Sequence, residues 1–479
     1  MRKRFFTICL GLLLCVTALA VFSGLRVTGW LLPGWVSWER TTLLCGPEGP
    51  DEIQLQSRTV KVRDAEEIIW RSDRSLRVQS ILWGDVDHDD APELMLLCWK
   101  RGRYGESRPF WVTEDKPIWS QHIYLYDWAG GELRPIWMAS DLGTEVASWS
   151  FDEVRRMTIT DRSGSKSHWD WSSWGLSPME LPTLTFAAVG DNLIHRQIYD
   201  YAFRNFGGSF DGLYAEVQAE LDRYDVTSIH QETVFVDDPG AYSDYPRFGT
   251  PLPVGEAIIN AGFDIVSCAS NHALDQGVEA IARTADLFRR ADVICAGIQP
   301  STDGAYRPYE RLEQNGISCA IFAYTQSTNG IPLPEDAPWM VHTLDDEARI
   351  RSELLKGRAE ADLCLVYVHW GTEYADQPDE TQRRWAQVFA DCGVDVVIGT
   401  HPHVLQPVEW VTGAQGNQTL VYFSLGNFIS AQQEASCRRG GLAWFRAEKL
   451  GSACEITEFG LKPLITKEEN GYYSTQLES

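Results

Sequence analysis

Val394-Asp-Val-Val-Ile398-Gly-Thr-His401-Pro-His403 reads as a buried β-strand that runs out onto two imidazoles. Its apolar part is short and bounded by glycine, as in a strand covered on both faces. Similar apolar runs recur from Leu184 onward: Leu184–Val189, Val226–Ile229, Ile265–Ala269, Val293–Ala296, Ser318–Tyr324, Leu363–Val368 and Leu420–Ser424. Amphipathic helical stretches lie between them at Gly255–Ala261, Val278–Arg290 and Glu380–Cys392. Alternation of this kind predicts a largely parallel α/β core, with strand-like Leu442–Ala447 closing the sheet.

Open α/β sheets bind ligands beyond the carboxyl ends of their strands. The residues there are Asp191-Asn192 with His195, His230-Gln231-Glu232, Asn271-His272 with Asp275, His369-Trp370-Gly371, His401-Pro402-His403 and Asn427. Of 10 histidines in the chain, the six at these positions (His195, His230, His272, His369, His401, His403) point to a shared site. Taken singly, each element has a plainer reading: Gly-Asp after a strand is common, and Asn caps helices. Together, imidazole and carboxylate suit Zn²⁺, Mn²⁺ or Fe, and the ligands outnumber what one ion needs. Two divalent ions roughly 3.5–4 Å apart are the expectation.

The ordered set Ala188-Val-Gly-Asp191, Gln231-Glu232-Thr233, Ala261 to Gly277 with Asn271-His272 and Asp275, His369-Trp-Gly-Thr-Glu373-Tyr, Ile398-Gly-Thr-His401-Pro-His403 and Tyr422 to Phe428 resembles the CapA (PgsA-like) capsule-synthesis family. That family belongs to the calcineurin-like metallophosphoesterase superfamily. The resemblance spans about 184 to 430, roughly half the chain. It implies an α/β four-layer sandwich with a dinuclear site. Asp191, Glu232, Asn271, His369, His401 and His403 would be ligands, and Glu232 would take the bridging place. His272 would act as general acid or transition-state stabiliser, its ring held by Asp275. Three departures stand out: Leu193 occupies the place of a usual histidine, His195 lies two residues further on where its reach to an ion is open, and His230 stands in the place of a usual asparagine. A weaker first metal site is the expectation.

Residues 51–178 carry short aromatic strands such as Glu67–Trp70, Ser80–Trp83, Glu93–Trp99, His122–Trp128 and Leu133–Met138 and predict a small all-β module. Within it, Asp85-Val-Asp87-His-Asp89-Asp90-Ala-Pro-Glu93 resembles the Asp-rich loop of FG-GAP or integrin-like propeller repeats. A solvated hairpin turn is the plainer reading. Ca²⁺ held by Asp85, Asp87, Asp89 and Glu93 is the other. One copy gives at most a partial propeller.

Arg2, Lys3 and Arg4 precede an uncharged stretch from Phe5 to Leu25. Residues 1–25 therefore read as a single-pass N-terminal membrane helix with the bulk of the chain outside the cytoplasm. A cleaved signal peptide is the rival, since Ala18-Leu19-Ala20 resembles a processing site. A linker over 26–50, the all-β module, a metallophosphoesterase-like domain over 182–465 and a tail over 466–479 complete the expected order. The net charge of −25 argues against nucleic-acid binding, which needs a basic face. Neither a CxxC motif nor an even set of the 11 cysteines suggests a thiolate site or a disulfide framework.

Three functions stay open at this point. The resemblance implies capsule (poly-γ-glutamate) biosynthesis or export at the cell membrane, within a capsule synthesis complex. A metal-dependent phosphoesterase acting on another anionic substrate is the second, and a non-catalytic envelope-binding protein that kept the metal scaffold is the third.

Overall fold

The computed structural model describes residues 30–46, 49–104, 114–139, 142–151, 156–172 and 174–478. The expected membrane helix over 1–25 lies outside these residues. Among the described residues no helix is long and apolar enough to cross a membrane. The chain divides into two compact units, Met1–Glu180 and Leu181–Ser479.

The described residues of the first unit form three successive four-stranded antiparallel meanders. The opening strand of the first, Thr41–Leu43, pairs with Glu52–Gln56, so pairing begins inside the stretch expected as a linker. The middle sheet, Arg77–Gly84 to Glu132–Met138, alternates its side chains between two cores. Leu94, Leu96 and Cys98 face Ile53, Leu55, Val60 and Val62 of the first meander. Met95 and Leu97 face Val146, Trp149, Met157 and Ile159 of the third. Period-two alternation thus builds the module from hairpins alone.

In the second unit we number elements from its own start. The first sheet runs β4 (Ile294–Ala296), β3 (Ile265–Ser267), β2 (Val226–Gln231), β1 (Thr183–Asn192), β12 (Arg439–Leu450), β13 (Ala453–Glu469) and β14 (Tyr472–Leu477), with β11 (Asn427–Ile429) beside β1. β1 to β4 are parallel, and β12 to β14 add an antiparallel flank. The second sheet runs β5 (Glu310–Gln314), β6 (Ile317–Thr325), β7 (Leu363–His369), β8 (Val396–Thr400), β10 (Gln418–Tyr422) and β9 (Val408–Thr412). All eight apolar runs named above are strands here.

Alternate side chains of these strands explain the layering. Leu184, Phe186 and Ala188 of β1 meet Ile317, Cys319, Leu363, Leu365 and Val396 between the two sheets. Ala187 and Val189 face the helices α1 (Arg196–Asn205), α2 (Leu252–Asn260) and α3 (Gly277–Arg290). On the far side, Ala320, Phe322, Cys364 and Val366 meet Ile350 and Leu354 of α4 (Glu347–Glu360) and Trp385 and Phe389 of α5 (Glu380–Asp391). The result is helix, sheet, sheet, helix, which is the four-layer sandwich expected.

Two features depart from expectation. The Leu442–Ala447 segment lies inside the first sheet, paired with β1 on one side and β13 on the other. Pairing also continues to Leu477, because Leu464–Glu469 and Tyr472–Leu477 form the last hairpin, beyond the expected domain end at 465. Strand order depends on contacts between residues far apart in the chain, which no local pattern carries.

Gly190 sets the geometry of the site. The β1–β2 register shifts between Val189 and Asp191, a bulge that re-aims the following side chain. Asp191 N donates to Gly426 O at 2.9 Å, and a Cβ on residue 190 would lie 1.9 Å from that same oxygen. We expect Gly190→Ala to lower unfolding free energy by at least about 2 kcal/mol and to reduce metal uptake with it. Urea denaturation checks this, and a change under about 0.5 kcal/mol would contradict the tight approach.

Candidate metal centre

Carboxyl ends of both sheets converge here, as the strand-end reading expects. Asp191 is the next-to-last residue of β1, and His230 lies on β2 with Glu232 just past it. Asn271 and His272 follow β3, His369 ends β7, and His401 and His403 follow β8. Asp191, His230, Glu232, Asn271, His369 and His403 are all buried. His401 and His403 adopt φ of +97° and +60°, a left-handed backbone that is costly for residues with a Cβ and clusters at functional sites.

Two groups of donor atoms form, each within 4.8 Å: Asp191 with His230 and His369, and Asp191 with Glu232 and His403. Asp191 Oδ2 is 3.3 Å from His403 Nδ1, and its Oδ1 is 3.8 Å from His230 Nε2. Glu232 Oε1 sits 3.8 Å from both His369 Nε2 and His403 Nε2. Around His369 Nε2 lie Asn271 Oδ1 at 3.0 Å and His401 Nδ1 at 3.1 Å. His369 Nδ1 lies 3.0 Å from Thr400 Oγ1 and 3.8 Å from Asp191 Oδ1, while its Nε2 meets Asn271 and His401. His401, which falls in neither group of acids and histidines, joins the set through this contact.

Asp191 Oδ1, His230 Nε2 and both carboxylate oxygens of Glu232 are buried without a hydrogen-bond partner. Leaving ionised oxygens in that state costs several kcal/mol each. A divalent cation removes the cost, so the residues fit the metal they were expected to bind. Further side chains fix the ligand rings, with Ser267 Oγ 3.2 Å from His230 Nδ1 and Asn427 Oδ1 3.0 Å from His403 Nδ1.

Three of the four rings are neutral, as ligation requires, and His403 is not. Burial pushes His230 and His401 down to about 4 and His369 well below the imidazole range. Burial opposes charge on His403 as well, but Glu232 and Asp191 outweigh it and push that ring up to about 9. Burial raises Glu232 to about 7 despite the pull of His403.

His272 stands beside the cluster. Its Nδ1 is 2.6 Å from Asp275 Oδ2, which also accepts from Phe248 N at 2.8 Å. Phe248 packs edge-on against the His272 ring, with centroids 4.8 Å apart. Burial disfavours its charge, yet Asp275 and Glu232 together hold His272 above the usual imidazole range. His195 is not among the converging donors: its Nδ1 lies 3.1 Å from Leu193 O and its ring abuts Phe248.

His230 is the residue that sequence reasoning undervalued. It appeared at a strand end but read as a departure from the family pattern, whereas its unpartnered Nε2 faces Asp191 and its ring stacks on His369 at 4.8 Å. Thr400 and Asn427 hold ligand rings, a role that their place in the motifs does not reveal. Tyr374, with φ of +64° and its ring 6.0 Å from His403, carried no signal beyond adjacency to Glu373.

In the first unit, Asp85, Asp87 and Glu93 bring donor atoms within 4.8 Å of one another. Asp89 is not in that group and instead accepts from Ala91 N at 2.8 Å. His88 and Asp90, which stand where the resembling repeats carry glycine, have φ of +65° and +71°, so the backbone keeps the loop shape without glycine. Burial, with the nearby acids, pushes Glu93 up to about 8.

Metal binding must expel the His403 proton below about pH 9 and the Glu232 proton below about pH 7. His230 and His401, near 4, release none at neutral pH. Affinity for Mn²⁺ or Zn²⁺ should therefore fall roughly tenfold per unit from pH 9 to 7, and more steeply below. Calorimetric titration in buffers of different ionisation enthalpy should show between one and two protons released at pH 7. A flat profile with no release would contradict these protonation states.

The family model for the bacterial capsule synthesis protein PGA_cap matches residues 185–432. The PGA biosynthesis protein CapA of Bacillus subtilis (strain 168) is 30% identical over 191 residues, 40% of this chain and 48% of that protein. The capsule biosynthesis protein CapA of Bacillus anthracis is 26% identical over 282 residues, 57% of this chain and 66% of its own length. The chain thus spans about half to two thirds of these curated relatives. Among solved structures, a calcineurin-like phosphoesterase of Bacillus subtilis overlaps 59% of this chain and 91% of its own at 15% identity and a TM-score of 0.35. A putative 5'-nucleotidase of Staphylococcus aureus overlaps 58% and 54% at 14% identity and 0.39. With its matched stretch covering the strands and loops that carry the buried donors, the chain belongs to the CapA (PGA_cap) family of bacterial capsule synthesis proteins.

Proposed function

We propose that the second unit binds two divalent metal ions and serves capsule biosynthesis or export by metal-dependent hydrolysis of an anionic polymer, poly-γ-glutamate being the substrate the family suggests. The observation that carries this is the buried pair Asp191 and Glu232, three of whose carboxylate oxygens have no hydrogen-bond partner among the surrounding imidazoles. Asp191, Glu232, His403 and His230 would hold one ion. Glu232, Asn271, His369 and His401 would hold the other. Divalent ions in such sites polarise a carbonyl or phosphoryl oxygen and acidify water.

The chain's own residues supply the proton. His272 is held above the usual imidazole range, and Asp275 occupies its Nδ1, so Nε2 is left to protonate a leaving atom. Exposed Glu373 acts on both Glu232 and His403. A carboxylate at the mouth favours a leaving amine, which departs as a cation, over an anionic leaving group. That supports cleavage of an amide-linked polymer, in which water adds across the C–N bond and His272 delivers a proton to nitrogen. The same reading has the protein at the outer membrane face, anchored through residues 1–25 and working with a capsule synthesis complex.

A phosphoesterase is the second reading, because a histidine held by an aspartate beside a carboxylate-imidazole cluster serves a phosphoester leaving group equally well. Purified metal-loaded protein should be given poly-γ-glutamate and, separately, bis-p-nitrophenyl phosphate. New amino ends released from the polymer, lost about 10²–10⁴-fold in His272→Ala at unchanged metal content, are the expected result. Cleavage of the phosphodiester alone would favour the second reading, and inertness toward both would sink the hydrolytic account.

A further inference from the structure

Every described cysteine is a free thiol, yet Cys268 and Cys295 place their Sγ atoms 3.8 Å apart. The sheet dictates this contact. β3 and β4 pair Val266 with Cys295 and Ser267 with Ala296, and Cys268 N donates to Ala296 O at 2.9 Å. With side chains alternating along a strand, Cys268 shares the face of Val266 and therefore that of Cys295. Both border the core between this sheet and its helices.

The two thiols differ in access. Cys268 is buried and Cys295 half-buried. Cys295 also lines a surface cleft of about 240 Å³ together with Arg289, Asp292, Arg307 and Glu310. Burial and the neighbouring sulfur raise the Cys268 thiol far above its ordinary range, so the thiol that meets a reagent first is Cys295.

We infer that Cys268 and Cys295 are a modification site, a vicinal thiol pair that closes to a disulfide when a disulfide oxidant enters the cleft. The chemistry balances without another reactant. Cys295 Sγ attacks the oxidant's S–S bond, forming a mixed disulfide and releasing one thiol. Cys268 Sγ then attacks Cys295 Sγ and releases the second. Two protein thiols are oxidised, one external disulfide is reduced to two thiols, and both thiol protons end on the leaving groups. The register sets Cys268 two positions along from Cys295, a diagonal of about 7–8 Å, so a sulfur–sulfur bond of about 2.05 Å needs the chain just past β3 to shift as the side chains rotate. The link would join strands β3 and β4 just before the loop that carries Asn271 and His272.

The test uses the full chain, reduced and then incubated natively with oxidised glutathione before alkylation, unfolding and peptide mass analysis. The expected result is a joined pair of peptides containing Cys268 and Cys295, lighter than their sum by two hydrogens, and reversed by dithiothreitol. Oxidised protein should also melt a few degrees above reduced protein, since closing a loop between residues 27 apart restricts the unfolded chain. Cys295→Ser should leave Cys268 reduced and abolish the melting shift, and Cys268→Ser should leave glutathione on Cys295. Full alkylation of both thiols after native oxidation would overturn the inference. So would glutathione retained on Cys295 of the unsubstituted chain.

Discussion

Asp191 and Glu232 are buried at the place where strands from two sheets end, and three of their four carboxylate oxygens meet no protein donor. An interior that excludes water penalises such oxygens heavily, and the surrounding rings do not relieve it. His230, His369 and His401 are driven toward the neutral form by that same burial, and of these four rings His403 alone is held charged. The arrangement makes sense as a socket for added positive charge. Much of the local structure can be read as the means of keeping these groups together.

The backbone around the socket is shaped for close approach. A bulge at Gly190 turns Asp191 toward His230, and the 190 position has no room for a Cβ because Gly426 O lies against it. Gly399 is constrained in the same way, since a Cβ there would come within 2.1 Å of Phe423 O. One strand end from each sheet is thereby fixed against the chain between β10 and β11. The left-handed backbone at His401 and His403 aims two rings inward from adjacent turns. The two sheets, sealed by their shared apolar layer, hold both halves of the donor set in register.

Legibility in the sequence followed burial. Strands covered on both faces are uninterrupted apolar runs, so all eight could be read, and the groups just beyond them could be read as a site. Two of the longer helices were not. Arg196–Asn205 buries Ile198, Tyr199 and Ala202, and Glu347–Glu360 buries Ile350, Leu354 and Gly357, stripes too thin to stand out among charged neighbours. The placement of β12 beside β1 was also illegible, because it depends on pairing across more than two hundred residues. His230 was misjudged for a related reason. Its role depends on which way a strand-end side chain points, and that is decided by the bulge in the neighbouring strand.

Metal stoichiometry tests most directly the proposal that this buried donor set holds two cations. Metal analysis of the purified chain dialysed against Mn²⁺ or Zn²⁺, with anomalous diffraction to locate the ions, should find two per chain, one beside Asp191 and His403 and one beside Asn271 and His369. Glu232→Gln should lower occupancy of both. A protein that keeps its fold but holds no ion among these residues, or whose occupancy is indifferent to Glu232, would contradict the account.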